Sequence, residues 1–373
     1  MFRDKGNEEM GKIITFFNHK SGVGKTTLVH NLGFILANKG FRVLLIDADP
    51  QMNLTAAMYG LSTNVEYSTD EESKWSENVR RYISLSEYLD VALKEQSCDK
   101  KIFQSELNLD SSNKGCAHLI SGAINLANTE ADLYSIIKNK NDFTNNIPYK
   151  FEQAITRQKH HYDFILIDTS PSASSIINAL IMMLSDYFIA PVSPTFFSLQ
   201  AIDNLSAIFQ NWIKLLGDYQ TTQNFKGLSF QPKFLGLVVQ MAKRFNGGIK
   251  EEGSAFSKSA EKWIKDVNTS VKKFQQFAAL RNMSISEEEF KRFFGVDSNP
   301  FIIQKCCDFT NQLRSIAEKA GIPVTYLTQE ICNRYKDSGT GVDITKENGR
   351  YAISFKSISD SYHNIANGLI KII

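Results

Sequence analysis

The chain has 373 residues, 42% of them hydrophobic and 22% charged, with a formal net charge of +2. That length suffices for one large domain or two smaller ones, and the composition excludes a disordered chain. The near-balanced charge gives no bulk argument for a nucleic-acid partner, although a local patch can still bind one.

The five cysteines, Cys98, Cys116, Cys306, Cys307 and Cys332, form no CxxC pair. They read as idle or buried thiols in reducing surroundings rather than as a zinc or iron–sulfur site. No apolar N-terminal segment follows a basic start, and no apolar run reaches the roughly 18 residues of a membrane span, so a cytosolic protein is expected.

Residues 1–9, "MFRDKGNEE", are polar and aperiodic and read as a loose tail, too short for a helix-turn-helix domain. Operator-specific repression is therefore not expected. "MGKIITFFN" then reads as a strand. After a glycine-rich turn, "KTTLVHNLGFILANKG" puts Leu28, Leu32, Ile35 and Leu36 on one helical face, with Gly40 at the C-terminal cap position. "RVLLIDAD" and "YDFILIDTS" are continuous apolar runs ending in carboxylates, the pattern of strands buried on both faces. "YFIAPV" and "KFLGLVVQ" continue the series, with helical stretches between.

This alternation predicts an α/β fold: a three-layer, mostly parallel twisted sheet with helices on both faces. Two stretches interrupt it. Residues 61–118 contain the acidic "TDEES" and the helix-like "SLSEYLDVALK", and residues 245–320 mix lysines with glutamates. Both read as insertions on a single domain spanning 10–373. The end, "SISDSYHNIANGLIKII", reads as a final helix.

The run "FFNHKSGVGKTTLVHNLG" carries the chemistry. A glycine turn between a buried strand and a helix lets backbone N–H groups approach phosphate oxygens and aims the positive helix end at them. Lys25 reaches the β- and γ-phosphates and Thr26 can place its hydroxyl on Mg²⁺. Asp47, Asp49 and Asp168 end strands, and in a parallel sheet the carboxyl ends of strands converge on the phosphate edge. Asp168 suits a water on Mg²⁺, and either Asp49 or Asp47 suits the attacking water. Taken singly, each of these aspartates is equally well a helix cap or a solvated strand end. Lys20 lies on the near side of the turn, where one subunit has no evident use for it. It is either a plain surface cation or a lysine that crosses to the phosphates of a second subunit. Such neutralisation in trans is worth roughly 10³–10⁵ in rate for an arginine finger.

These residues resemble the deviant Walker A ATPases of the ParA/MinD type. "KSGVGKTT" is similar to their K-G-G-x-G-K-T-T box, "VLLIDADPQMNLT" to their Walker A′ box and "FILIDTSPS" to their Walker B box. "HLISGAINLANTEADL" and "NALIMMLSDYFIAPVSPTFFSLQAIDNL" resemble further segments of ParA-type partition proteins. The likeness covers most of residues 11–210, fades through 245–320, and returns at "GIPVTYLTQE" and the last helix. Ser21 departs from the usual glycine, keeping the backbone N–H but adding a Cβ. Ser170 and Ser172 flank Pro171 where the family often has a second proline.

The resemblance implies an ATP-sandwich homodimer in which Lys20 contacts the partner's ATP. It implies that Ser21, Gly22, Val23, Gly24, Lys25, Thr26 and Thr27 cradle the phosphates, with Thr26, Asp47 and Asp168 on the Mg²⁺ side and Asp49 positioning the hydrolytic water. The adenine pocket would draw on Gln240, Met241 and the loop after Val324. It further implies nonspecific DNA binding, a nucleoid-associated ATP state, and slow hydrolysis stimulated by a ParB-like adaptor, with a plasmid, chromosome or protein body as cargo. Lys243, Arg244, Lys272, Lys273, Lys291 and Arg292 are candidate DNA contacts, although each also fits a solvated helix face beside glutamates.

Other classes compete. A MinD-like membrane ATPase needs a basic amphipathic tail, and "NGLIKII" offers one lysine. A nitrogenase-type reductase needs bridging cysteines near the sheet, and none fit. A bacterial tyrosine kinase carries a C-terminal tyrosine cluster that is missing here. A nucleotide-binding scaffold with little hydrolysis is the remaining alternative.

Overall fold

The structure is a computed structural model describing residues 10–61, 69–94, 98–105, 115–139, 147–220, 230–242, 257–295, 301–337 and 339–373. Among these, the chain runs β1 (Lys12–Phe16), α1 (Lys25–Asn38), β2 (Arg42–Ala48), α2 (Asn53–Met58), α3 (Thr69–Arg81) and α4 (Leu85–Lys94). It continues with β3 (Phe103–Gln104), β4 (Cys116–Ile120), α5 (Leu126–Asn139), α6 (Ile147–Thr156), β5 (Phe164–Thr169), α7 (Ile176–Leu184) and β6 (Tyr187–Val192). The remainder is α8 (Phe196–Gln220), β7 (Lys233–Ala242), α9 (Lys258–Ala279), α10 (Glu287–Phe294), β8 (Ile302–Cys307), α11 (Asn311–Ala320), α12 (Gln329–Tyr335) and α13 (Arg350–Ile370).

The eight strands form one sheet in the order β3-β4-β2-β5-β1-β6-β7-β8. Every pairing is parallel except β3 with β4. The five apolar runs read from the sequence are the five central strands. All six residues of β5 are buried, as a strand covered on both faces requires. Helix α7 is buried at every position, because "IINALIMML" has no polar face to turn to water.

The stretches read as insertions differ from that reading in one respect. Each contributes to the sheet: β4 pairs with β2, and β8 pairs with β7. Residues 62–68, 95–97, 106–114, 245–256 and 296–300 of those stretches lie outside the described residues, as does the 1–9 tail. Helix α9 is fastened to the core by Phe274. Its ring sits 5.1 Å from Phe234, 5.6 Å from Phe209 and 6.0 Å from Phe188. A buried phenylalanine contributes on the order of 1.5–3 kcal/mol from area alone. The last helix, α13, buries Ile358, Tyr362, Ile365 and Leu369 against the core. No helix among the described residues is long and apolar enough to cross a membrane.

Candidate functional site: a phosphate loop at the centre of the sheet

Strand β1 sits between β5 and β6 at the middle of the sheet, so its carboxyl end opens where the flanking strands lead in opposite directions. The loop from Phe17 to Gly24 follows. Gly24 (φ 82°) and Gly22 (φ 69°) hold left-handed conformations that a side chain disfavours. A Cβ on Gly24 would also lie 3.4 Å from Met241 Cε and 3.5 Å from Gln240 Cδ. Ser21 is not among the left-handed residues, so the serine in place of glycine brings no backbone strain.

Asn18 organises the loop. Its Nδ2 donates to Pro191 O (2.7 Å) on β6, and its Oδ1 accepts from Lys20 N (2.9 Å). Lys25 is 7% exposed and arches back over the loop to donate to Asn18 O at 3.2 Å. Burial pushes its ammonium below the usual range, opposed by the carboxylates of Asp168 and Asp49.

The three aspartates differ more than their sequence contexts do. Asp47 and Asp168 are register partners on β2 and β5, and Asp168 also pairs with Phe16 at the end of β1. Asp47 is fully buried and takes three hydrogen bonds. Its Oδ1 accepts from Asp49 N (3.1 Å), and its Oδ2 accepts from Thr55 N (2.8 Å) and Thr55 Oγ1 (2.7 Å). Burial raises it to about 6 against these donors.

Asp168 is 1% exposed, and among the described residues neither of its oxygens has a hydrogen-bond partner. Burial, then repulsion from Asp47, raises it to about 7, so the two carboxylates resist ionising together. The Thr26 hydroxyl is near enough to stabilise the Asp168 charge but makes no hydrogen bond of ordinary geometry with it. Asp49, 8% exposed, accepts from Gln51 N (3.0 Å) through Oδ1.

This arrangement fits Mg²⁺ at one place. An orphaned buried carboxylate beside a threonine hydroxyl suits a hard cation that takes most of its ligands from phosphates and water. Asp47, the other carboxylate expected on the metal side, already takes three internal donors and has less acceptor capacity left for a cation or its water than Asp168.

A cavity of about 400 Å³ opens over the loop, within the range of small-molecule sites. Ser21, Gly22, Val23, Gly24, Lys25, Thr26, Thr27, Asp49, Gln240 and Met241 all line it. Gln240 is 1% exposed and its Oε1 accepts from the buried Tyr362 hydroxyl at 3.0 Å. The opposite wall comes from Phe309, Arg314 and residues 321–324. It therefore ends at Val324 instead of following it. Thr325 and Tyr326 turn away to bind α1, through Asn31 Oδ1 (3.1 Å from Thr325 N) and Phe34 O (2.8 Å from the Tyr326 hydroxyl).

Sequence reasoning missed that wall, and also His30, which lines the cavity. Burial lowers His30 to about 3, so it presents a neutral imidazole. A histidine inside an apolar helical run was the available signal.

Lys20 is placed differently from its sequence reading, which found no use for it within one chain. Its Nζ donates to Thr195 Oγ1 (2.5 Å) and Ser198 Oγ (3.1 Å) at the start of α8. Burial lowers the pKa of its ammonium, and among the described residues it has no carboxylate partner. Of the DNA candidates, Lys272 and Lys273 are exposed on α9, and Lys291 and Arg292 are exposed on α10 beside Glu287 and Glu288. None lines the cavity. Lys243 and Arg244 lie outside the described residues.

A parallel sheet, a glycine loop capped by Gly24-Lys25-Thr26, and acidic strand ends around it define a P-loop NTPase fold. The chain belongs to the AAA_31 family, described as an AAA domain, whose profile matches residues 11–220. Its relatives are of the ParA type. It is 32% identical over 197 residues to the sporulation initiation inhibitor protein Soj of Bacillus subtilis, covering 52% of this chain and 64% of Soj. It is 28% identical over 234 residues to a probable plasmid-partitioning protein ParA of Thermus thermophilus, covering 62% of this chain and 61% of that protein. The chain thus spans about three fifths of the length of these curated relatives. Two solved structures share the fold across nearly the whole chain. pNOB8 ParA has a TM-score of 0.58 at 19% identity, covering 98% of this chain and 100% of that one. Apo McdA of Cyanothece has a TM-score of 0.55 at 15% identity, covering 96% and 99%.

Proposed function

We propose that this chain is a magnesium-dependent ATPase that pairs around two nucleotides and holds DNA without sequence preference. In this reading it segregates or positions a cargo with an adaptor of the ParB type, and its ATP state associates with the nucleoid. One observation carries the reading: two lysines flank the loop, and the cradle uses one. Lys25 lies inside the cavity, and Lys20 rests on two neutral hydroxyls that it can leave without breaking an ion pair. The corner it would leave from is open and apolar. Phe196 and Phe197, next to Thr195, are 65% and 67% exposed, as a surface awaiting a second copy would be. The solved complex of pNOB8 ParA with nonspecific DNA, similar in fold at a TM-score of 0.55, supports the DNA element of the reading.

The roles divide as follows. Loop N–H groups and Lys25 bind the phosphates, Thr26 and Asp168 would hold Mg²⁺, and Gln240 and Met241 face the nucleoside end. Mg²⁺ supplies charge neutralisation on phosphate oxygens. Asp49 has one oxygen fixed by Gln51 N and offers the other to the attacking water. Asp47 is the hub that fixes Asp49 and α2 through its three donors. The inward packing of α13 weighs against the membrane alternative, since the final helix buries its apolar face.

Size-exclusion chromatography with ATP and Mg²⁺ tests the pairing. The wild type should elute as a dimer, and Lys20→Ala should elute as a monomer or as a dimer without turnover. An unchanged profile together with full hydrolysis by Lys20→Ala refutes the role of Lys20.

A further inference from the structure

Helix α9 lies beyond the stretch matched by the family profile. Its buried side is apolar: Trp263, Ile264, Val267, Val271 and Phe274 pack inward. Its outward side carries Lys262, Lys265, Thr269, Lys272, Lys273 and Gln276, all exposed. At 100° per residue these six fall in one stripe about a third of the helix circumference wide. Asp266 is the one exposed acid on the helix, and Glu261 is half-buried. None of the four lysines has an ion pair among the described residues. By contrast, on α10 Glu287 and Glu288 stand beside Lys291 and Arg292, and Arg292 lies over the Phe293 ring.

We propose that this outward face of α9 is where the protein holds the phosphate backbone of duplex nucleic acid. The proposal rests on the DNA element of the reading above and names its surface.

Three features favour that occupant. The lysines span about 16 Å along the helix, the rise of about five nucleotides of one strand. The stripe's other exposed groups, Thr269 and Gln276, are neutral hydrogen-bonding residues suited to phosphate oxygens, and Asp266 at its edge is the single acid against four lysines. Within Lys258–Ala279 the apolar side of α9 is committed to the core, and the one bulky apolar group exposed near the face, Leu280, stands alone at the C-terminal cap, too little to enter a bilayer. The stripe is also rigidly mounted. Phe274 anchors its C-terminal end, and near its N-terminal end Trp263 Nε1 donates to Thr195 O (2.8 Å), on the same residue whose hydroxyl holds Lys20.

The test is fluorescence anisotropy of labelled random-sequence duplex DNA with ATP and Mg²⁺, from about 50 to about 200 mM salt. The comparison is between the wild type and a variant carrying Lys262→Gln, Lys265→Gln, Lys272→Gln and Lys273→Gln. Glutamine keeps helix propensity, and nucleotide affinity reports that the variant is folded. The slope of log K against log salt should shrink by about three, with at least about tenfold weaker binding at the low-salt end. The matching Lys→Arg variant should keep the slope. An unchanged slope in the glutamine variant puts the DNA surface elsewhere and overturns the proposal while leaving the wider reading intact. A wild type that binds no duplex at any salt removes the DNA reading itself. Lysine-dependent binding to anionic vesicles without binding to duplex overturns the proposal in favour of a membrane.

Discussion

Asp168→Asn gives the sharpest test of the site's electrostatics. Asp168 is buried, has no hydrogen-bond partner for either oxygen among the described residues, and is raised from its ordinary 3.8 to about 7. A carboxyl whose folded value is raised keeps its proton in the native state at a pH where the unfolded chain has lost it. The native state then binds more protons than the unfolded state, and stability falls as pH rises from the unfolded value through the folded one. At 1.36 kcal/mol per unit, Asp168 alone removes about 3 kcal/mol between about pH 5 and about pH 8 in the nucleotide-free protein. Asp47, raised to about 6, adds a smaller loss in the same direction. Asparagine has the same shape and no charge, so Asp168→Asn should flatten most of this decline. Urea unfolding of both proteins at the two pH values, without nucleotide, measures it. A variant that loses as much stability as the wild type over that interval refutes the claim that the charge on Asp168 is what burial penalises.

Two further outcomes concern the chemistry. Asp49→Ala should lower single-turnover ATP hydrolysis by about 10²–10⁴, the usual worth of a positioned base, with nucleotide affinity retained. Equal rates remove Asp49 from the mechanism and favour a scaffold with little hydrolysis. Asn178 is fully buried on α7, and its Nδ2 donates to Ser170 O (3.0 Å), Ser170 Oγ (3.2 Å) and Ser172 O (2.9 Å). Asn178→Ala should cost about 1–3 kcal/mol in denaturant unfolding. It should also weaken nucleotide binding, because the freed segment follows Asp168 and carries Pro171 into the cavity wall. Full nucleotide affinity in that variant limits Asn178 to stability.

The central sheet was legible because strands buried on both faces are written as unbroken apolar runs. The outer strands were not. β4 reads "CAHLI" with His118 half-buried, and β8 reads "IIQKCC" with Gln304 and Lys305 half-buried, so neither stands out from a loop. The phosphate loop was legible because its chemistry is contiguous, from Lys20 to Thr27. What surrounds it is assembled from distant chain. The hydroxyls that hold Lys20 lie 175 and 178 residues away, and Thr325 meets Asn31 across 294. The aspartates show the same limit. Three strand-end carboxylates look alike as letters, and only their donors separate Asp47, which takes three, from Asp168, which takes none among the described residues.

The place of β5 between β1 and β2 has a consequence for how the molecule comes into being. The loop and the Asp47–Asp49 strand end are neighbours in the chain, yet β5 lies between their strands. A ribosome delivers β5 more than a hundred residues after β2. Until then the first two strands have a gap where their common neighbour belongs. A nascent chain ending before Phe164 would carry the whole phosphate-binding signature and have nowhere to seat a triphosphate.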